Sequence, residues 1–373
     1  MRIYAVIIVA LVAVILALVK LAYLHGEITH VSKQSAAAPA VPAVTATPSS
    51  LVQKWRSTDR PATGDPYAEG IVVTFSAHTV NGRDALTGVV RWHYTRSDET
   101  ICTVAQQDDS TIAFYDRHGN CDEITAFSTA TGVPTFYRTS PDNGVGAVAT
   151  ASNVVMVLTP AAVHVFDNAG GIDRWTWNPP SGCTAQRAVI GSAGILISSR
   201  CGAGYRLTLH DLTETGEIWS VTSATPQIPI AASTVISAVD PDSGVVSTFA
   251  VSNGASTRRF TLTDPTDVRA DAPADASTGV SSTAEDLFWV GELSAIASPG
   301  RLAWTAPADN PATVTPQGLL AVVNGAGVSL LNPASGTVNR VVSLSPAPPS
   351  APSLAFTAGG GLVIAAAGTA YYG

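Results

Sequence analysis

Lysine is nearly absent from this chain. The 373 residues hold three Lys beside 17 Arg, and only 13% are charged, about half the usual quarter. Lys plus Arg number 20 against 28 Asp plus Glu, a net charge of −8, so no basic surface exists to hold nucleic acid or an anionic membrane face. Cysteine is limited to four residues, with no adjacent pair and no C-x-x-C. That excludes a local metal knuckle, and His118 with Cys121 is an incomplete ligand set. G-x-S-x-G, H-E-x-x-H and G-x-x-x-x-G-K-[ST] are all missing, which removes the sequence-local signatures of common hydrolases and nucleotide enzymes. Generic disorder is excluded too, because 46% of the residues are apolar. Arg far above Lys, with abundant Ala, fits a GC-rich bacterial source.

One long apolar run is present. Tyr4 to Leu24 is apolar apart from Lys20, and 21 helical residues would span about 31 Å, a bilayer's hydrocarbon thickness. A cleavable signal peptide has a shorter apolar region with a small-residue site close behind, whereas here Ala36 to Ala40 follow a dozen residues later. Residues 1–25 are therefore expected to be an uncleaved transmembrane signal anchor. Arg2 before the helix and Lys20 and Lys33 after it leave the positive-inside count undecided. Residues 26–50 hold AAAPAVPAVTATPSS, expected as a semi-extended linker.

From residue 51 to 373 no window has a convincing helical period. Short runs such as GIVVTFSA, NVVMVLT, GILISS and GLLAVVN are bounded by Gly, Asn, Asp, Ser or Pro, the pattern of many short strands. One motif recurs: a polar turn, Gly, then an aromatic four residues on. It occurs at Gly88 and Trp92, Gly132 and Phe136, Gly171 and Trp175, and Gly300 and Trp304, and one residue shorter at Gly216 and Trp219. Weaker copies lie at Gly254 and Gly336. The seven glycines recur at a mean of about 41 residues, the length of a four-stranded propeller blade. Trp55 closes LVQKW, an outer strand with no inner strands before it, while the C-terminus supplies three strands and stops. The two ends together make one blade, so an N-terminal strand should close the ring. The expectation is an all-β, eight-bladed β-propeller, or seven blades if one weak copy is a loop, preceded by one transmembrane helix.

These residues resemble the quinoprotein-like (PQQ-like) β-propeller repeat family, whose blade signature is close to A-x-D-A-x-T-G-x-x-x-W. Asp84, Ala85, Thr87, Gly88 and Trp92 match it well; Thr131, Gly132, Thr215, Gly216 and Trp219 match in part. The resemblance covers residues 51–373 and implies a fold rather than an activity. Relatives that bind the quinone cofactor carry adjacent cysteines, an aspartate base and a calcium site; the adjacent cysteines are missing here. Neither a cofactor nor a metal is therefore expected.

Cys102 and Cys121 lie 19 apart, Cys183 and Cys201 lie 18 apart, and the two pairs are offset by two blade repeats. Repeat symmetry favours Cys102–Cys121 and Cys183–Cys201, each pair at the same place in its blade. Disulfides persist in oxidising compartments, so the propeller is expected outside the cytoplasm with the N-terminus inside. His78, His93, His118, His164 and His210 have no acid–base partner at a recognisable spacing. Arg91, Arg96, Arg138 and Arg174 flank the aromatic strands. Asp240-Pro-Asp242-Ser-Gly244 lacks a calcium loop's twelfth ligand, since Val251 stands there, and is expected as a hairpin turn.

Two functions follow. In the first the chain is a non-catalytic, membrane-anchored binding or scaffold module with a protein partner in the cell envelope, similar in architecture to the anchored propeller of the bacterial outer-membrane assembly machinery. The irregular stretch Thr263 to Glu285 would decorate its loop face. In the second it is an envelope oxidoreductase or small-ligand sensor using the central funnel, its quinone dependence implied only by the family resemblance. No catalytic residue can be assigned from sequence.

Overall fold

The computed structural model describes residues 11–18, 30–34, 36, 49–64, 67–107, 109–140, 145–159, 161–214, 216–233, 235–261, 280–281, 286–290, 292–297, 301–307, 313–314, 318–324, 327–346, 353–356, 362–366 and 369–372. Antiparallel four-stranded units follow one another along the chain. In the second blade, for example, Thr100–Gln107, Ser110–Arg117, Asn120–Ser128 and Pro134–Thr139 pair in sequence order. Second strands such as Val154–Leu158 are buried along their whole length because sheets cover both faces. The core is thus a series of apolar layers between blades, not one central mass.

The expectation of eight blades, or seven, is corrected. Six sheets of four to six strands stand as separate blades, and the remaining eight strands form one continuous sheet. The cause is Ser50–Arg56, which is bonded on both edges. It runs antiparallel to Thr369–Tyr372 and parallel to the end of Val338–Ser345. The N-terminal strand does close the ring, and in doing so fuses the sheets on either side of it.

The expected transmembrane helix is also corrected. Among the described residues the one helix covers 11–18, and eight residues rise about 12 Å against a hydrocarbon core of about 30 Å. No described helix is long and apolar enough to cross a membrane, and the rest of Tyr4 to Leu24 lies outside the described residues. The signal anchor, the membrane partner and the single-pass localisation all rested on that span, and no described helix supplies it. Within 26–50, His30–Lys33 forms a strand on the outer edge of the first blade, pairing with Val90–Arg96.

The aromatic motif works between blades. Gly88 lies against the Trp55 ring, Gly132 against Trp92, Gly171 against Phe136, Gly254 against Trp219 and Gly336 against Trp304. A Cβ on Gly132 would stand 2.5 Å from the Trp92 ring, and all five glycines have positive φ. Each indole also donates to a carbonyl of the turn it covers, as in Trp92 Nε1 to Thr129 O at 2.7 Å and Trp219 Nε1 to Val251 O at 2.9 Å. A bulge immediately before the aromatic recurs in the fourth strand: Arg91, Thr135, Arg174, Ile218 and Ala303 are the extra residues. Bulges increase the local twist, and this one precedes the ring that meets the next blade.

Gly216 does not hold a turn-glycine position. The turns close by an amide-to-carbonyl bond five residues on, Asp84 to Val89 and Ser128 to Val133, with the glycine at the fourth step. In the fourth blade that bond joins Asp211 to Gly216, so the turn position is 215, outside the described residues, and Trp219 has its ordinary spacing. Gly216 meets nothing within 4 Å and has no positive φ. Gly300 lies outside the described residues.

These two glycines should therefore behave oppositely. Gly132→Ala is expected to cost about 2–4 kcal/mol, from strain plus collision with Trp92. Gly216→Ala should stay within about 0.5 kcal/mol of the parent. Thermal unfolding of both variants checks the assignment; equal losses would contradict it.

Candidate functional site

Blade turns divide the molecule into two faces. One carries the glycine turns over the aromatics; the other carries the second-to-third-strand turns and the connections between blades. Both disulfides and the densest buried charge lie on the second face.

The bridges join Cys102 to Cys121 and Cys183 to Cys201, but at different places. Cys183 and Cys201 are directly opposed on neighbouring strands. Cys102 and Cys121 sit on the first and third strands of their blade, with the second strand between them. Each is an unpaired residue at a bulge: Phe114 opposes Thr103 and Tyr115 opposes Ile101, leaving Cys102 out. Tyr115 opposes Glu123 and Arg117 opposes Asn120, leaving Cys121 out. Bulges re-aim side chains, which is what a bridge across an intervening strand requires.

Beside this bridge Arg96 and Glu99 form an ion pair, Arg96 Nη2 to Glu99 Oε1 at 2.6 Å, with side chains 6% and 2% exposed. Arg117 Nε lies 3.9 Å from the same oxygen. The Arg96 guanidinium stacks 4.7 Å over the Tyr115 ring, and Tyr94 meets Tyr115 edge-on. His78 Nδ1 is 2.6 Å from the Glu99 carbonyl, fixing the connection between the first two blades. Burial pushes the Glu99 carboxyl up to about 7, with Asp98 and Glu123 adding repulsion and Arg96 and Arg117 opposing it. Burial likewise pushes the Tyr115 phenol well above its ordinary value. Desolvation thus sets the direction of the shift at a side chain that is closed off from solvent.

Other sequence candidates are accounted for by packing. His164 is buried with Nδ1 3.1 Å from Thr176 Oγ1. His210 is buried between Trp175 and Trp177, ring centroids 5.7 and 5.6 Å away. Arg138 crosses to the third blade, donating to Gly171 O at 2.7 Å and Asp173 Oδ1 at 2.6 Å. Asp240 Oδ1 accepts from the Asp242 and Ser243 amides, so that loop is a hairpin turn. Among the described residues no group of three His, Cys, Asp or Glu could hold a metal ion. Thr263 to Glu285 lies outside the described residues, apart from Val280–Ser281.

Sequence reasoning missed two features. Glu99 and Arg96 carry no motif; only a charged pair at i, i+3 beside a strand end hinted at them. Missed too was a ring at or next to the end of the third strand in the second to fifth blades, which lies under the docking aromatic: Phe127 under Trp92, Phe166 under Phe136, His210 under Trp175, Phe249 under Trp219.

Solved structures share the fold. BamB from Moraxella catarrhalis aligns with TM-score 0.53 and 15% identity over 86% of this chain and 99% of its own. Dihydro-heme d1 dehydrogenase NirN, solved in complex with DHE, aligns with TM-score 0.56 and 13% identity over 84% of this chain and 78% of its own. The chain is a β-propeller. The computationally designed protein Ika8 has the same likeness, TM-score 0.56 and 12% identity over 87% and 99% of the two chains. At these identities the likeness of this propeller to them is one of fold. No family model and no curated protein matches the sequence.

The pH behaviour of Glu99 can be measured. Its folded value near 7 lies above the ordinary 4.5. Between those values the folded chain holds a proton that the unfolded chain releases. Its contribution is thus greatest below 4.5, declines as pH rises towards 7 and is level above. Glu99→Gln should flatten that decline in thermal unfolding between those limits. An unchanged slope would show that another group sets it.

Proposed function

We propose that this chain is a quinoprotein-like β-propeller acting as a non-catalytic, protein-binding scaffold module of the cell envelope. The observation that carries the reading is the edge strand His30–Lys33. The outer edge of the first blade accepts this extended segment by antiparallel pairing, four residues in register with Arg96 to His93. Outer strands of the second to sixth blades, Pro134–Thr139 among them, have no such partner among the described residues. Open edges recruit extended segments by backbone bonding, with side chains adding specificity. The second blade's edge offers large apolar groups for that purpose, Tyr137 at 57% exposure and Val133 at 42%.

Two disulfides suit an oxidising compartment and a rigid platform. The buried position of Glu99 and the hydrogen-bonded turn at Asp240 both speak for scaffold rather than catalysis. The funnel reading has less support: Thr63–Gly64 runs along the inner edge of the second blade, occupying its channel side.

Native mass spectrometry of the full-length protein purified from its own source tests this. A protein subunit at fixed stoichiometry is expected, and Val133→Asp with Tyr137→Asp should reduce its occupancy at least about tenfold, a loss of about 1.4 kcal/mol. A bound molecule of small mass with no protein subunit would overturn it.

A further inference from the structure

A groove of about 340 Å³ lies between the fourth and fifth blades, on the outer side of the Trp219–Gly254 dock. Its origin is a change of size at one repeated position. Two residues past the docking aromatic of the first three blades, a side chain covers the ring lodged beneath. Tyr94 covers Phe127 at 4.9 Å between centroids, the Arg138 guanidinium covers Phe166 at 4.4 Å, and Trp177 covers His210 at 5.6 Å. In the fourth blade that position is Val221. Its side chain is too short to cover Phe249, and both residues line the groove instead.

The walls differ from an ordinary blade gap. Ser223, Thr225, Ser247 and Ser256 bring hydroxyls, and Asp240 and Arg259 bring one negative and one positive group. Ser247 is 7% exposed, and Thr225 bonds to Ser223 and Asp240. The charges cancel, the donors and acceptors are mixed, and Phe249 with Val221 and Val245 forms an apolar strip. Such a site matches a neutral ligand rich in hydroxyls that also has an apolar C–H face. The volume falls within the usual range of small-molecule sites, about 300–1,000 Å³.

We propose that this groove binds a neutral saccharide of one or two sugar units. This is independent of the protein-binding edges. The site is small, concave and on the fourth and fifth blades, where the edge reading rests on the first and second.

Calorimetric titration of the full-length protein with maltose and with N,N′-diacetylchitobiose tests it. Saturable binding of at least one, with Kd near or below about 1 mM, is expected. Val221→Trp installs the residue that Trp177 supplies one blade earlier and should weaken binding at least about tenfold, equivalent to about 1.4 kcal/mol. Should that variant fail to fold, Ser247→Ala with Arg259→Met decides, with the same direction expected. Absence of saturation by either sugar overturns the proposal, as does unchanged affinity in the folded variants. Saturation by a tetra-alanine peptide and by neither sugar would also overturn it.

Discussion

An aromatic ring laid on a glycine is the contact on which this propeller depends. Each blade is a small sheet that cannot bury both of its faces alone, so stability must come from the layers between blades. The ring and the turn meet face to face only where the turn has no Cβ, and the same residue has a left-handed backbone. One glycine therefore satisfies two constraints at once. The indole hydrogen bond adds direction, holding the ring over a turn carbonyl instead of letting it slide along an apolar surface. Where the ring is Phe136 that bond is unavailable, and Arg138 on the same strand supplies the cross-blade donor by reaching Gly171 O.

Closure of the ring uses the same contact with different sequence ends. Trp55 stands in the N-terminal strand, yet it covers Gly88 and donates to Ala85 O at 2.9 Å as any interior copy would. The chain leaving that strand is then tied to the first blade by Asp59, whose Oδ2 accepts from Arg83, Asn81 and Thr74. Arg83 holds the Asp59 carboxyl below its ordinary value despite partial burial. Its other nitrogen donates to Gly88 O, so the ion pair and the aromatic dock reinforce the same junction. The fused eight-stranded sheet is the consequence of a strand held from both sides.

The blades were legible in the sequence because glycine and tryptophan are rare enough for their spacing to stand out. The cysteine pairing was legible for a similar reason, since an offset of two repeats is a geometric statement. What spacing could not convey was depth along a strand. Cys121 and Cys201 lie 80 residues apart and yet occupy a third and a second strand, because the third strands of those two blades are offset by 84 residues, from Asn120 to Gly204. Gly216 misled through composition: a glycine stood one step beyond the turn position, and the count from it to Trp219 came out short. The number of separate sheets was not legible either, because it depends on lateral pairing of Ser50–Arg56, which leaves no period. Tyr4 to Leu24 had the hydropathy of a span, but only 11–18 is seen as helix. Glu99 escaped detection because desolvation is a property of what surrounds a residue, and its surroundings come from two blades.

Repetition also explains where chemistry has room to appear. At positions that dock blade to blade, substitution is constrained by the neighbouring turn and the ring beneath it. Two residues further along the same strand the requirement is only that the gap be filled, and Tyr94, Arg138 and Trp177 fill it in three unlike ways. A position that tolerates a phenol, a guanidinium and an indole can also tolerate a valine, provided the aromatic dock above still holds the blades together. Trp219 keeps that dock, with its ring 5.7 Å from Phe249 and its nitrogen on Val251 O. The loss at Val221 is therefore local, opening space lined by hydroxyls without separating the blades. A scaffold whose blades are held by buried apolar layers and an aromatic dock leaves the position beyond that dock free to become a site.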